Sequence, residues 1–327
     1  MLFKEETIDD LMREILKELC DKPFDIVPTK GACSEIFGAM LELTNPRARL
    51  SRTETRGKSF SALGELFWYL SRSNSLEYIS YFIHRYKTYS DDGETIYGGY
   101  GPRLFNMRGE HNQFETVIKL LKSKPNTRQA VIQLFDAEDL LIEHKDIPCT
   151  CTLQFLLRDG KLNMITFMRS NDAYLGLPHD IFCFTMLQEI VARSIGAELG
   201  VYKHVVASLH LYEKNQKDAN QYLQEGVQST KFPMPEMPNE DPWDSIHKIL
   251  KFENDVRNSY DASVENLKMD KYWMDLAYML KILALSKNKV YDKIEDEKNK
   301  ISNESYIAFV NKKIDDFNAK FARISKN

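Results

Sequence analysis

The chain has 327 residues, 43% of them hydrophobic, and a formal net charge of −4. That length and apolar content suit one large domain, or one domain with an extension. The charge offers no global positive excess to neutralise phosphates, so a free nucleotide is a more natural ligand than a nucleic acid. Apolar runs such as residues 278–286 are too short and interrupted to cross a bilayer, and Met1-Leu2-Phe3-Lys4-Glu5-Glu6 lacks a signal-peptide pattern, so a cytoplasmic protein with no membrane partner is expected. The five cysteines (Cys20, Cys33, Cys149, Cys151, Cys183) show neither disulfide-framework nor zinc-site spacing, which fits a reducing compartment and leaves any of them available as a thiolate.

Apolar residues at helical spacing (Ile8, Leu11, Ile15, Leu16, Leu19) predict an amphipathic helix over residues 7–20. Pro28-Thr29-Lys30-Gly31 breaks the pattern and leads into Ile36-Phe37-Gly38, a loop followed by a strand; residues 65–70 read as helix. Residues 130–135 and 152–157 read as strands. The second closes in the turn Arg158-Asp159-Gly160-Lys161 and is answered by residues 162–168, giving a hairpin. A long apolar helical pattern over 178–195 (Ile181, Phe182, Thr185, Met186, Ile190, Val191) puts Asp180 near a helix start. The stretch Phe232-Pro233-Met234-Pro235-Glu236-Met237-Pro238 predicts a linker, separating a domain at 1–225 from an extension at 226–327. The segments 246–267, 272–285 and 306–322 mix apolar and charged residues with no sustained heptad or repeat. They read as a small helical subdomain packed on the core, with a cap over the site or a subunit interface as the alternative.

Four blocks carry the chemistry: Pro148-Cys149-Thr150, Met168-Arg169-Ser170-Asn171-Asp172, Gly176-Leu177-Pro178-His179-Asp180 and His210-Leu211-Tyr212. Together they resemble the catalytic half of the thymidylate synthase family. Its segment reads roughly Pro-Cys-His, Gln-Arg-Ser-x-Asp, Leu-Gly-Leu-Pro-Phe-Asn and His-x-Tyr, and the blocks align with it without a gap. The resemblance implies a thymidylate-synthase-like α/β fold, with a bent mixed sheet packed by helices, and a homodimer formed through sheet packing. It makes Cys149 the nucleophile that adds to carbon 6 of a pyrimidine, turning carbon 5 into a nucleophile for a one-carbon electrophile. It also places Arg169 where its charge favours the thiolate. Taken alone, a cysteine beginning a strand is more often a small buried hydrophobe, and plain packing is the reading for Cys151.

Asp180 falls on the family's asparagine, which matches uracil through its carbonyl and amino groups. Cytosine reverses the exocyclic group. An aspartate can accept from that amino group and share a proton with ring nitrogen 3, whereas an ionised aspartate would repel oxygen 4 of uracil, a mismatch of roughly 1–3 kcal/mol or more. A helix cap is the plainer role for this residue. With the aspartate, the blocks look like the cytidylate hydroxymethylase branch, in which the carbon from 5,10-methylenetetrahydrofolate becomes a ring methylene that adds water. The expected activity is therefore 5-hydroxymethylation of CMP or dCMP. The alternatives are an ordinary thymidylate synthase acting on dUMP and a non-catalytic nucleotide-binding protein of the same fold.

The resemblance assigns further roles. Glu65, in Gly64-Glu65-Leu66-Phe67-Trp68-Tyr69, corresponds to a glutamate that orders water and moves protons; its place in an apolar run argues against an ordinary solvated glutamate. Trp68 and Asp172 would meet the folate. Arg169 and Ser170 match a phosphate-binding pair, and Arg128 matches an arginine given across the dimer to the partner's phosphate. His210 and Tyr212 would hold the sugar hydroxyl, and Tyr100 would line the base and water network. Two positions depart from the pattern. Gln129 stands where the family has a second arginine, and Pro28 where its Asp-Arg-Thr-Gly loop has one, with Lys30 nearby as a replacement charge.

Overall fold

The computed structural model describes residues 1–230 and 232–324. A six-stranded mixed sheet forms from β1 (Leu2–Glu5), β2 (Cys33–Leu43), β3 (Val131–Gln133), β4 (Thr150–Arg158), β5 (Lys161–Asp172) and β6 (Glu198–Tyr212), in the order β1-β2-β6-β5-β4-β3. The β5–β6 and β1–β2 pairs are parallel and the others antiparallel. The helices are α1 (Ile8–Cys20), α2 (Ser59–Leu70), α3 (Leu76–Phe82), α4 (Tyr100–Phe105), α5 (Gln113–Ser123), α6 (Leu177–Ser194) and α7 (Gln216–Gln224), followed by α8 (Trp243–Asn258), α9 (Lys271–Lys287), α10 (Ile294–Lys298) and α11 (Ile307–Ile324). No helix among the described residues is long and apolar enough to cross a membrane.

The expected hairpin is present. Asp159 and Gly160 both take positive φ (51° and 74°), the geometry of a two-residue turn whose twist matches its strands. Two expectations need correction. Ile36-Phe37-Gly38 lies inside β2 and not in a loop; Gly38 takes φ 70° there while the register with β6 stays continuous. The strand over 130–135 shortens to three residues.

Helices α1 and α6 cover one face of the sheet. The opposite face leaves Phe37, Met40, Val131 and Phe167 exposed, Phe37 by 87%, an apolar surface of the kind that takes a partner. The proline-rich stretch is packed on the core. Met234 and Met237 are buried, and Glu189 of α6 accepts hydrogen bonds from Arg47 Nε (3.1 Å), the Met237 N–H (3.1 Å) and Arg49. Arg193 in turn donates to the Met237 carbonyl at 3.0 Å. Prolines stop helix and sheet here, but buried ion pairs and two methionines fix the chain. Helix α9 is buried along most of its length against α2 and α8, so one hydrophobic cluster runs from Ile8 to Val310.

Candidate active site

A cavity of about 930 Å³ opens where β4 begins and β5 and β6 end, beside α2 and the start of α6. Its wall contains Lys30, Glu65, Trp68, Tyr100, Cys149, Arg169, Ser170, Asp172, Asp180, His210 and Tyr212. Of the residues given site roles from the sequence, only Arg128 is missing from this wall; it is exposed in the turn before β3. Among the described residues, none after Tyr212 lines the cavity. Lys312 of α11 bonds the Glu54 carbonyl and so braces the segment that leads to Arg56.

Cys149 stands at the entry to β4. Antiparallel pairing with β5 brings Arg169 beside it, the Arg169 N–H donating to the Cys149 carbonyl at 2.9 Å. The Arg169 guanidinium donates to the Pro148 and Ile147 carbonyls, both at 2.9 Å, and its Nη2 lies 3.8 Å from Sγ. Burial pushes the Cys149 thiol up to about 11, against the pull of Arg169, and Asp146 and Asp180 push it further. Arg169 does favour the thiolate, as the resemblance implies, but desolvation outweighs this one nearby cation. Cys151 sits at the irregularity between Thr150 and Thr152 and is off the cavity wall.

Glu65 is buried on α2. Its Oε1 accepts from the hydroxyls of Tyr69, one helical turn on, at 3.1 Å, and of Tyr86 at 2.6 Å. Burial raises its pKa while the two tyrosines pull it down. The result is a carboxyl that can hold and release a proton, as a proton carrier requires. Tyr100 donates to Thr150 Oγ1 at 2.9 Å and accepts from the Thr150 N–H at 3.1 Å, which ties α4 to the residue after the cysteine.

Asp180 does not cap α6. The cap position is Gly176, and Asp180 Oδ2 accepts from Asn171 Nδ2 at 2.7 Å. Burial and then the neighbouring Glu65 charge raise the Asp180 pKa well above the usual carboxylate range. Asp180 is partly buried and lines the cavity. The raised pKa favours the neutral acid, which has one acceptor and one donor. In that form the carboxyl lacks the charge repulsion on which the sequence argument against uracil rested.

His210 and Tyr212 pack edge to face, with ring centroids 4.9 Å apart, at the end of β6. Asp172 Oδ1 accepts from the N–H groups of Tyr174 and Leu175, both at 2.9 Å, so this side chain also builds the turn into α6. Lys30 lies over the Tyr89 ring at 4.4 Å, within reach of the same cavity as Arg169. Sequence reasoning missed Asp146, Tyr86, Arg56 and His179, all on the wall. His179 was quoted only as part of a motif; its Nε2 lies 2.9 Å from Ser61 Oγ, and burial lowers its pKa to about 3. Tyr69, four residues after Glu65, carried a usable signal in its helical spacing.

Comparison with known proteins agrees with this geometry. The family described as thymidylate synthase matches residues 7–281. Three phage proteins named deoxyuridylate hydroxymethyltransferase are similar to the chain. That of Pseudomonas phage M6 is 37% identical over 49% of this chain and 46% of its own length. The Delftia phage PhiW-14 protein is 30% identical over 59% of this chain and 57% of its own. The Bacillus phage SP01 protein is 28% identical over 80% and 72%. The chain thus spans about half the length of the first two.

Proposed function

The chain belongs to the thymidylate synthase family, and on that premise we propose that it moves a one-carbon unit from 5,10-methylenetetrahydrofolate to carbon 5 of a pyrimidine nucleoside monophosphate and leaves it as a hydroxymethyl group. The observation that carries this reading is the meeting of Cys149, Glu65 and Asp180 on one cavity wall, the two acids with pKa values raised by burial. The Cys149 sulfur adds to carbon 6 once its proton has left. Asp180 holds the ring edge, and the negative charge that develops at carbon 5 forms the new carbon–carbon bond. Loss of the carbon 5 proton and departure of the folate amine leave a ring methylene. Water ordered at Glu65 adds to it, and the cysteine departs with the carbon 6 bond. The folate supplies the one-carbon electrophile. Orphaned buried donors at Trp68 Nε1 and Arg56 Nε, on the wall that also holds Asp172, fit its polar heterocycle and carboxylate tail.

The base we assign first is uracil, as deoxyuridylate. A neutral Asp180 presents the acceptor and donor pair that an asparagine would, and three similar proteins carry deoxyuridylate in their names. The second reading is cytidylate, favoured by the same residue, since an acid can lend its proton to ring nitrogen 3. We also assign Arg169, Ser170 and Lys30 to the phosphate and His210 and Tyr212 to the sugar. Arg128 would reach the phosphate of a second copy docked on the exposed sheet face, residues 226–327 form the extension, and the setting is the cytoplasm.

The test is incubation with deoxyuridylate, deoxycytidylate and their ribonucleotide forms, with methylenetetrahydrofolate, and mass measurement of the product. A gain of CH2O on deoxyuridylate is expected. The same gain on cytidylate alone selects the second reading. A gain of CH2 means methylation, and no product from any nucleotide means a binding protein; either overturns the proposal.

A further inference from the structure

Behind Asp180 runs a row of buried polar side chains that the proposed reaction does not use. Asn171 Nδ2 donates to Asp180 Oδ2 at 2.7 Å, and Asn171 Oδ1 lies 3.1 Å from His204 Nε2. His204 Nδ1 is 2.7 Å from the Tyr202 hydroxyl, which is 3.2 Å from that of Thr166. None of these four supporting residues is more than 4% exposed. The parallel register of β5 and β6 sets Thr166 opposite His204, so two strands hold the row in place.

The orientation of the Asn171 amide sets the direction of the row. An amide carbonyl only accepts, so His204 carries its ring proton on Nε2; a neutral imidazole has one such proton, so Nδ1 takes the Tyr202 hydroxyl hydrogen, which is then not available to Thr166. Burial lowers the His204 pKa to about 3 and keeps the ring neutral. The Asn171 amide is thus held at both ends, and it can turn over only if the ring proton moves to Nδ1 and Asp180 donates from Oδ2. Its N–H points at Asp180 Oδ2, making that oxygen the carbonyl-type acceptor and leaving the acid proton to Oδ1. A carboxyl without this support could exchange the two roles by moving one proton and would serve uracil and cytosine alike.

We propose that His204 is a positioning residue for base selection: acting through Asn171, it fixes the order of acceptor and donor on Asp180 and thereby sets the preference between uracil and cytosine nucleotides. The inference rests on the reading above that Asp180 faces the base. It makes the protein's specificity a property of a histidine that never touches substrate.

The experiment compares kcat/KM for deoxyuridylate and deoxycytidylate in the full chain and in His204→Phe, His204→Gln and Tyr202→Phe, with the binding of both nucleotides measured by calorimetry on the same proteins. In His204→Phe the ratio between the two bases should shrink by about tenfold or more, the scale of one lost polar contact in a closed site. Gln returns an N–H to Asn171, so His204→Gln should stay within about threefold of wild type, a rescue that mere packing would not give. Tyr202→Phe frees the tautomer and should fall between them. An unchanged ratio in His204→Phe overturns the inference, as does a Gln variant that loses the ratio as fully as Phe. If the Phe variant does not fold, an unchanged ratio in Tyr202→Phe has the same force. A wild type that yields no hydroxymethyl product overturns the proposed reaction, and the calorimetric ratio then decides the role of His204 separately.

Discussion

The two ends of the cavity are built in opposite ways. At the base end Asp180 is backed by Asn171, His204, Tyr202 and Thr166, all buried and each hydrogen-bonded to the next. At the mouth the cations are exposed: Arg169 leans on two backbone carbonyls, Lys30 rests on a tyrosine ring, and Arg128 stands off the wall altogether. A buried polar row is held to one arrangement because each orphaned group would cost about 1–3 kcal/mol. Exposed cations can change orientation cheaply, and salt screens them. On the proposed reading, the base end is therefore preorganised to discriminate. The mouth is left to be completed by the ligand and, on the proposed reading, by a second copy of the chain.

The sharpest way to break this comparison is to remove the atom between the two ends. Cys149→Ser should lower kcat by at least about a thousandfold, since no other group on the wall can form the bond to carbon 6. Tritium release from carbon 5 is the readout, and near-normal release would show that the nucleophile is elsewhere. The next test addresses the mouth. Mixing an inactive Arg128→Ala protein with an inactive Cys149→Ser protein should recover about a quarter of wild-type sites, because half of the randomly formed dimers would each hold one site with both residues intact. No recovery after verified subunit exchange would mean that Arg128 does not serve a partner's site.

The same contrast explains what the sequence disclosed. Cys149, Arg169 and Asp180 were legible because each lies in a short block, and the pairing of β4 with β5 then brings the first two together. The support behind Asp180 was not. Asn171 was visible within its motif but had no assigned role, because its partner His204 lies 33 residues away on β6. That strand escaped reading because Lys203 and His204 interrupt its apolar alternation. Its buried positions Tyr202, His204 and Val206 declare themselves only once β5 and β2 flank it. The Cys149 thiol teaches the same lesson about energetics. A motif names the cation beside a thiol, but the desolvation that opposes it arises from the packing of the whole wall.

That opposition has a measurable consequence. With the thiol pushed up to about 11, the thiolate fraction of the free protein is small at neutral pH and grows with each step upward. Alkylation of Cys149 by iodoacetamide, followed on its own peptide by mass spectrometry, should therefore rise about tenfold per pH unit from about 7 to about 10 without levelling. An ordinary exposed cysteine levels off near about 8.5–9. A plateau for Cys149 below about 8 would mean that Arg169 outweighs burial after all.

The smallest expected effect tests the base end most closely. If Asp180 works as a neutral acid, Asp180→Asn replaces its acceptor and donor by a carbonyl and an amino group of nearly the same shape. Asn171 would still donate to the carbonyl, so the amino group would take the place of the Oδ1 hydroxyl. Turnover of deoxyuridylate by this variant should stay within about tenfold of wild type, whereas Asp180→Leu, which leaves two polar groups of the base unmatched, should lose about a hundredfold or more. The measurement is kcat/KM for both variants beside wild type. A loss in Asp180→Asn as large as in Asp180→Leu would mean that the acid must give up its proton during turnover. That is the behaviour required of a residue that shares a proton with ring nitrogen 3, and it would move the assignment from deoxyuridylate to cytidylate.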